Sequence, residues 1–135
     1  GNFYELYQNE SMTNFSINIS VQVQYLEEQS KPELGQYHFA YNLSIKNDSD
    51  VPFQLVARQW LITDSEGHTQ EVKGLGVVGQ QPLLRSGETF EYTSWATIPT
   101  PVGSMKGNYF CISEDAQFFE APIPEFALAI PRVLH

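Results

Sequence analysis

Residues 15 to 25, Phe15-Ser-Ile-Asn-Ile-Ser-Val-Gln-Val-Gln-Tyr25, place an apolar side chain at every second position and a polar one between. Successive side chains of a β-strand point to opposite faces, so this pattern predicts a half-buried strand. The pattern returns at Tyr37, Phe39, Tyr41, Leu43 and Ile45 after a polar break from Glu27 to Gly35. Two antiparallel strands joined by a loop follow.

Working outward, Asn47-Asp-Ser-Asp50 is turn chemistry, because short polar side chains bond their own backbone and interrupt a strand. A third strand is expected over Phe53 to Thr63. Asp64-Ser-Glu-Gly67 then turns the chain into a fourth at Thr69 to Val72, and Arg85-Ser-Gly-Glu88 into another at Thr89 to Trp95. Met105 to Ser113 reads as a further strand, and Phe118 to Ile130 as one or two short ones broken at Pro122 and Pro124. No segment has a convincing helical period. Seven or more strands, with turn signals at roughly 8 to 12 residue spacing, predict an all-β sandwich. Trp60 is the natural core plug. Arg58, two residues away, shares its face and must pair, cap a carbonyl or reach the rim.

At 135 residues and 41% hydrophobic content, the chain suits one domain with its own core. Met12 reads as a natural initiator, so residues 1–11 are expected to be a remnant outside a single domain at 12–135. Cys111 is the one cysteine, which points to a reducing compartment and a cytoplasmic protein. There is no apolar run of the roughly 20 residues that span a bilayer, so no direct membrane insertion is expected. The net charge of −9 argues against nucleic acid, whose binding rests on clustered cations. From Arg58 to Lys106, four basic residues meet five acidic ones, a local net of −1 that leaves −8 elsewhere and lets a small anion approach this segment more easily.

Gln70 to Gly107 holds the densest motifs: Gly74-Leu-Gly-Val-Val-Gly79 with Gln81-Pro82, then Ser86-Gly-Glu-Thr-Phe-Glu-Tyr-Thr-Ser94, then Pro99-Thr-Pro-Val-Gly-Ser-Met-Lys-Gly-Asn-Tyr109. In this order the three elements resemble the ApaG family, and the likeness extends over Ile17 to Pro131. That resemblance implies an immunoglobulin or fibronectin type III-like β-sandwich. It also implies a link to cobalt resistance and magnesium efflux, and a recognition role like that of ApaG domains fused to F-box proteins. The family commonly has a small residue and a cysteine where this chain has Trp95 and Ala96, so no role of that cysteine carries over.

Gly74, Gly76 and Gly79 match the spacing of a dinucleotide fingerprint, but no helix and no βαβ unit follow, which excludes a Rossmann site. Two readings stand. In one, the loop is an anion nest for pyrophosphate or a nucleotide, with Lys73 or Arg85 adding charge; in the other, the glycines serve a bulge or a tight strand crossing. The rigid Pro99-Thr100-Pro101 loop, with Ser104 after it, either presents a surface to a protein partner or stiffly caps the sandwich. Exposed edge strands would also permit a homodimer.

His38, His68 and His135 are scattered and no metal-ligand spacing appears, so no metal site and no cofactor are expected. Glu27-Glu28 and Glu114-Asp115 fall at turns, and Cys111 has no cationic activator near it in sequence. The sequence therefore points to a noncatalytic binding module, with a pyrophosphate or nucleotide sensor or weak enzyme as the alternative.

Overall fold

The computed structural model describes residues 15–131. Met12, residues 1–11 and His135 lie outside them. Among the described residues are eight strands: β1 (Ile17–Tyr25), β2 (Tyr37–Asn47), β3 (Phe53–Asp64), β4 (Thr69–Leu75), β5 (Leu83–Leu84), β6 (Thr89–Ile98), β7 (Val102–Ser113) and β8 (Phe118–Ala129). One sheet runs β1-β2-β6; the other runs β4-β3-β7-β8, with β5 also paired to β3. All pairings are antiparallel. This is the expected sandwich. A helical turn, Pro32–Leu34, sits inside the polar break between β1 and β2. No helix among the described residues is long and apolar enough to cross a membrane.

The core forms where the inward faces of both sheets meet, from Phe39, Leu43 and Ile45 on β2, Trp60 and Ile62 on β3, and Met105, Tyr109 and Cys111 on β7. Trp60 packs edge-on against Tyr41, Tyr109 and Phe126, with ring centroids 5.5, 6.4 and 5.9 Å away. Its other neighbour is Gly107, the residue directly across on β7. A Cβ at Gly107 would stand 2.1 Å from the Gln59 carbonyl oxygen and 3.0 Å from the indole. Both neighbours are fixed, one in a ladder and one in the core. Gly107→Ala should therefore lower unfolding free energy by about 2–3 kcal/mol, the scale of core overpacking, and urea unfolding of the variant against the parent checks it.

Strand β8 departs from the two broken strands that the prolines foretold, because it runs unbroken from Phe118 to Ala129. It is an edge strand, where a residue without an N–H costs no ladder bond if that side faces outward. The irregularity is taken up locally: between Gly107↔Ile123 and Met105↔Phe126 the register shifts, with one residue of β7 opposite two of β8, Pro124 and Glu125.

A second shift falls between Leu55 and Ala57 on β3. Before it, Phe53 and Leu55 face inward; after it, Trp60, Ile62 and Asp64 do. The extra residue, Val56, thus reverses the inward parity midway along the strand and carries Arg58 to the core side with Trp60.

Candidate functional site

The segment from Gly74 to Gly79 runs from the end of β4 into a two-residue turn that leads on to β5. The Val77 N–H donates to the Gln80 carbonyl at 2.8 Å and the Gln80 N–H returns to the Val77 carbonyl at 2.9 Å. Val78 and Gly79 between them both have positive φ, 42° and 79°. That is the pattern of a type I′ turn, and Gly79 supplies the left-handed conformation at no steric cost. Val78 holds it only because both flanking hydrogen bonds fix the turn. Gly76 donates its N–H to the Val56 carbonyl at 2.6 Å, and a Cβ there would meet the Gln80 carbonyl oxygen at 2.3 Å.

Gly74 is needed for a different reason. It lies across the ladder from Arg58, whose guanidinium spreads over it: a Cβ would stand 2.6 Å from Arg58 Nη1. Arg58 Nη1 donates to the carbonyls of Gly76 (3.0 Å) and Leu75 (3.3 Å), so the arginine caps the carbonyls of the glycine loop. The carbonyl-capping option read for Arg58 is the one realised.

Three clefts lie along the five-stranded sheet. One, of about 370 Å³, is lined by Ala57, Arg58, Gln59, Lys73, Gly74, Leu75 and Phe110. Lys73 is the cation of this face and no carboxylate lines the cleft, although Glu71 holds the Lys73 ammonium at 3.0 Å from outside it. Glu71 sits below the usual carboxylate range, through its hydrogen bond and ion pair with Lys73. Arg85 is elsewhere. It lines a second cleft of about 390 Å³ with Pro52, Gln54, Leu83, Ile112 and Glu114, near Glu88 at 3.8 Å. The structure thus joins Lys73 with Gly74 and parts Arg85 from them. A third cleft of about 410 Å³ holds Lys106, Gln59, Asn108 and Glu125.

Register puts Leu75, Ala57 and Phe110 in one outward row, and Leu83, Gln54, Ile112 and Phe118 in the next. Leu75 is 77% exposed and Phe118 79%. Composition could not locate this apolar area, because which alternate residues face outward depends on the Val56 bulge.

In the proline loop, Thr100 turns inward. Its Oγ1 accepts from the Ser65 N–H at 3.1 Å and donates to the Val102 carbonyl at 2.8 Å, tying the loop to the β3–β4 turn. Ser104 lies within β7, between Thr63 and Ala127. Pro99 and Pro101 are the exposed members.

The ApaG domain model matches residues 27–113. The chain belongs to the ApaG family. Protein ApaG of Ralstonia nicotianae is 62% identical over 92% of this chain and its own full length. That of Thiobacillus denitrificans is 57% identical over 90% of this chain and 95% of its own. The crystal structure of a Bordetella pertussis protein described as ApaA superposes with a TM-score of 0.85 at 53% identity, over 88% of this chain and 97% of its own. The family name states no reaction. In this ApaG domain the glycine segment is a carbonyl-capped hairpin beside a cationic, apolar cleft.

Proposed function

We propose that this ApaG domain is a noncatalytic protein-interaction module of the cytoplasm, acting on cobalt and magnesium homeostasis indirectly, through what it binds. The observation that carries this reading is the apolar outer face of the five-stranded sheet, where Leu75, Leu83 and Phe118 stand exposed on strands rather than on loops. Apolar side chains grouped on a rigid surface and rimmed by polar ones are the ordinary mark of a protein contact. Lys73 and Arg85 at its margins add cations that a partner's carboxylates would meet.

The test is affinity capture from cells with the tagged chain and with the double variant Leu75→Glu/Phe118→Glu. Both positions are exposed, so the variant keeps its fold. Proteins retained by the parent should fall at least tenfold with the variant, the scale of losing a central apolar anchor. An unchanged protein set would overturn the reading.

The cleft at Lys73 supports a second reading, a pyrophosphate or nucleotide site, because Lys73 lines it and no carboxylate does. Titrating labelled protein with pyrophosphate, ADP and ATP, with and without magnesium, should then shift the amides of Lys73, Gly74 and Leu75, and Lys73→Ala should abolish the shifts. Silence at millimolar ligand would overturn it.

A further inference from the structure

Strand β6 is a ten-residue edge whose register with β2 runs without a shift from Lys46↔Thr89 to Tyr37↔Ile98. The Asn47 N–H donates to the Glu88 carbonyl at 2.9 Å, which sets the parity of that ladder. Phe90, Tyr92, Ser94, Ala96 and Ile98 turn their main-chain groups toward β2. Those of Thr89, Glu91, Thr93, Trp95 and Thr97 therefore point away, along an edge that meets no other strand among the described residues.

Exposed edges are normally guarded by proline, lysine, a bulge or a covering element. The other edges here show such guards. On β8 stand Pro122, Pro124 and a bulge; β1 lies against β8; β4 is shorter and carries Lys73. By contrast β6, Thr-Phe-Glu-Tyr-Thr-Ser-Trp-Ala-Thr-Ile, has no proline, no cation and no bulge. It is rich in the β-branched and aromatic residues that favour pairing. Trp95, 64% exposed, lies opposite Ala40, whose small side chain leaves the indole open.

We propose that β6 is a strand-addition site that takes an extended, basic segment of a partner protein. The main-chain groups of the five outward residues would pair with that segment, and the Trp95 indole would pack on its side chain directly opposite. Charge selects the occupant. The chain carries −9 and β6 itself bears only Glu91, so a segment with Lys or Arg is attracted, while a second copy of this chain would bring a further −9. The indole face also suits an arginine or lysine side chain laid over it.

This rests on the interaction reading and assigns it a second surface. The test pans a random twelve-residue phage-displayed peptide library on the full chain, then measures binding of the enriched peptides by calorimetry. Expected are alternating β-branched or aromatic sequences with Lys or Arg, whose affinity falls at least tenfold in Thr93→Pro and weakens between 0.05 and 0.5 M salt, about the range over which surface charge is screened. Thr93→Pro removes an outward N–H, which an edge strand tolerates; circular dichroism checks its fold. Trp95→Ala, at an exposed position, provides the same test if the proline variant does not fold. Enriched peptides that bind both variants as tightly as the parent, or no enrichment at all, would overturn the proposal. If Leu75→Glu/Phe118→Glu loses its partners while Thr93→Pro keeps them, the interaction module stands and the β6 site falls.

Discussion

Raising the pH from 8 to 11 is expected to remove about 6 kcal/mol of stability, comparable to the whole of a small domain's roughly 5–15 kcal/mol. The cause is a group of buried, neutral acids between the two sheets. Burial pushes the Cys111 thiol up to about 12. Burial likewise raises Tyr92 and Tyr109, whose hydroxyls share one hydrogen bond at 2.6 Å, and also Tyr41. Arg58 nearby opposes this for Tyr41 and Tyr92 without reversing it. Each group is held protonated in the folded state while its unfolded counterpart ionises, so their stabilisation is complete below about pH 8.5 and is lost as pH rises. At about 1.4 kcal/mol per pH unit, Cys111 accounts for about 3 kcal/mol by pH 11, and Tyr92 with Tyr109 for a further 3 or so. Urea unfolding as a function of pH measures it. Cys111→Ala should abolish the decline between pH 8.5 and 10 and leave the steeper one above. A free energy flat to pH 11 would sink the account.

How much of this was legible follows from what each residue's role depends on. Alternation is local, so β1 and β2 stand in the text of the chain, as do the turns at Asp64 to Gly67 and Arg85 to Glu88. Continuity of β8 was not legible, because whether Pro122 and Pro124 break a strand depends on the strand's place in the sheet. The face occupied by Arg58 was correctly tied to that of Trp60. Its contact with Gly74 was not, since that requires the β3–β4 register, and the exposed row of Leu75 and Phe110 depends on the register shift at Val56. Lys73 and Arg85 looked equivalent in sequence, flanking one glycine motif. The hairpin at Val78-Gly79 and the short strand β5 send them to different clefts. Trp95 was visible only as a departure from the family pattern, and its exposure reflects Ala40 across the ladder.

Asn47→Ala is expected to lower unfolding free energy by about 4 kcal/mol, more than any surface position, although Asn47 stands in a segment that reads as an ordinary polar turn. The side chain is fully buried. Its Nδ2 donates to the carbonyls of Val51 and Leu84, each at 2.9 Å, and its Oδ1 accepts from the Ser49 N–H at 2.9 Å and from the Ser49 hydroxyl. One amide therefore ties the end of β2 to the 48–51 turn and to β5 of the other sheet, while its own N–H and C=O bond Glu88 and Gly87. Alanine would strand the buried Leu84 carbonyl and the Ser49 N–H, each costing about 1–3 kcal/mol if water does not reach it, leave the Val51 carbonyl to the Ser49 hydroxyl at 3.0 Å, and open a small void. Asn47→Asp separates the parts: it keeps the acceptor for Ser49 but offers no donor to Val51 and Leu84, and brings a charge into a dry site, so it should be at least as damaging. Ser49→Ala, which removes one hydroxyl, should cost about 1 kcal/mol. Urea unfolding of the three variants gives the ordering directly. If Asn47→Ala costs no more than Ser49→Ala, the junction of β2 and β5 is held by packing of Phe53 and Leu84 instead of by this amide.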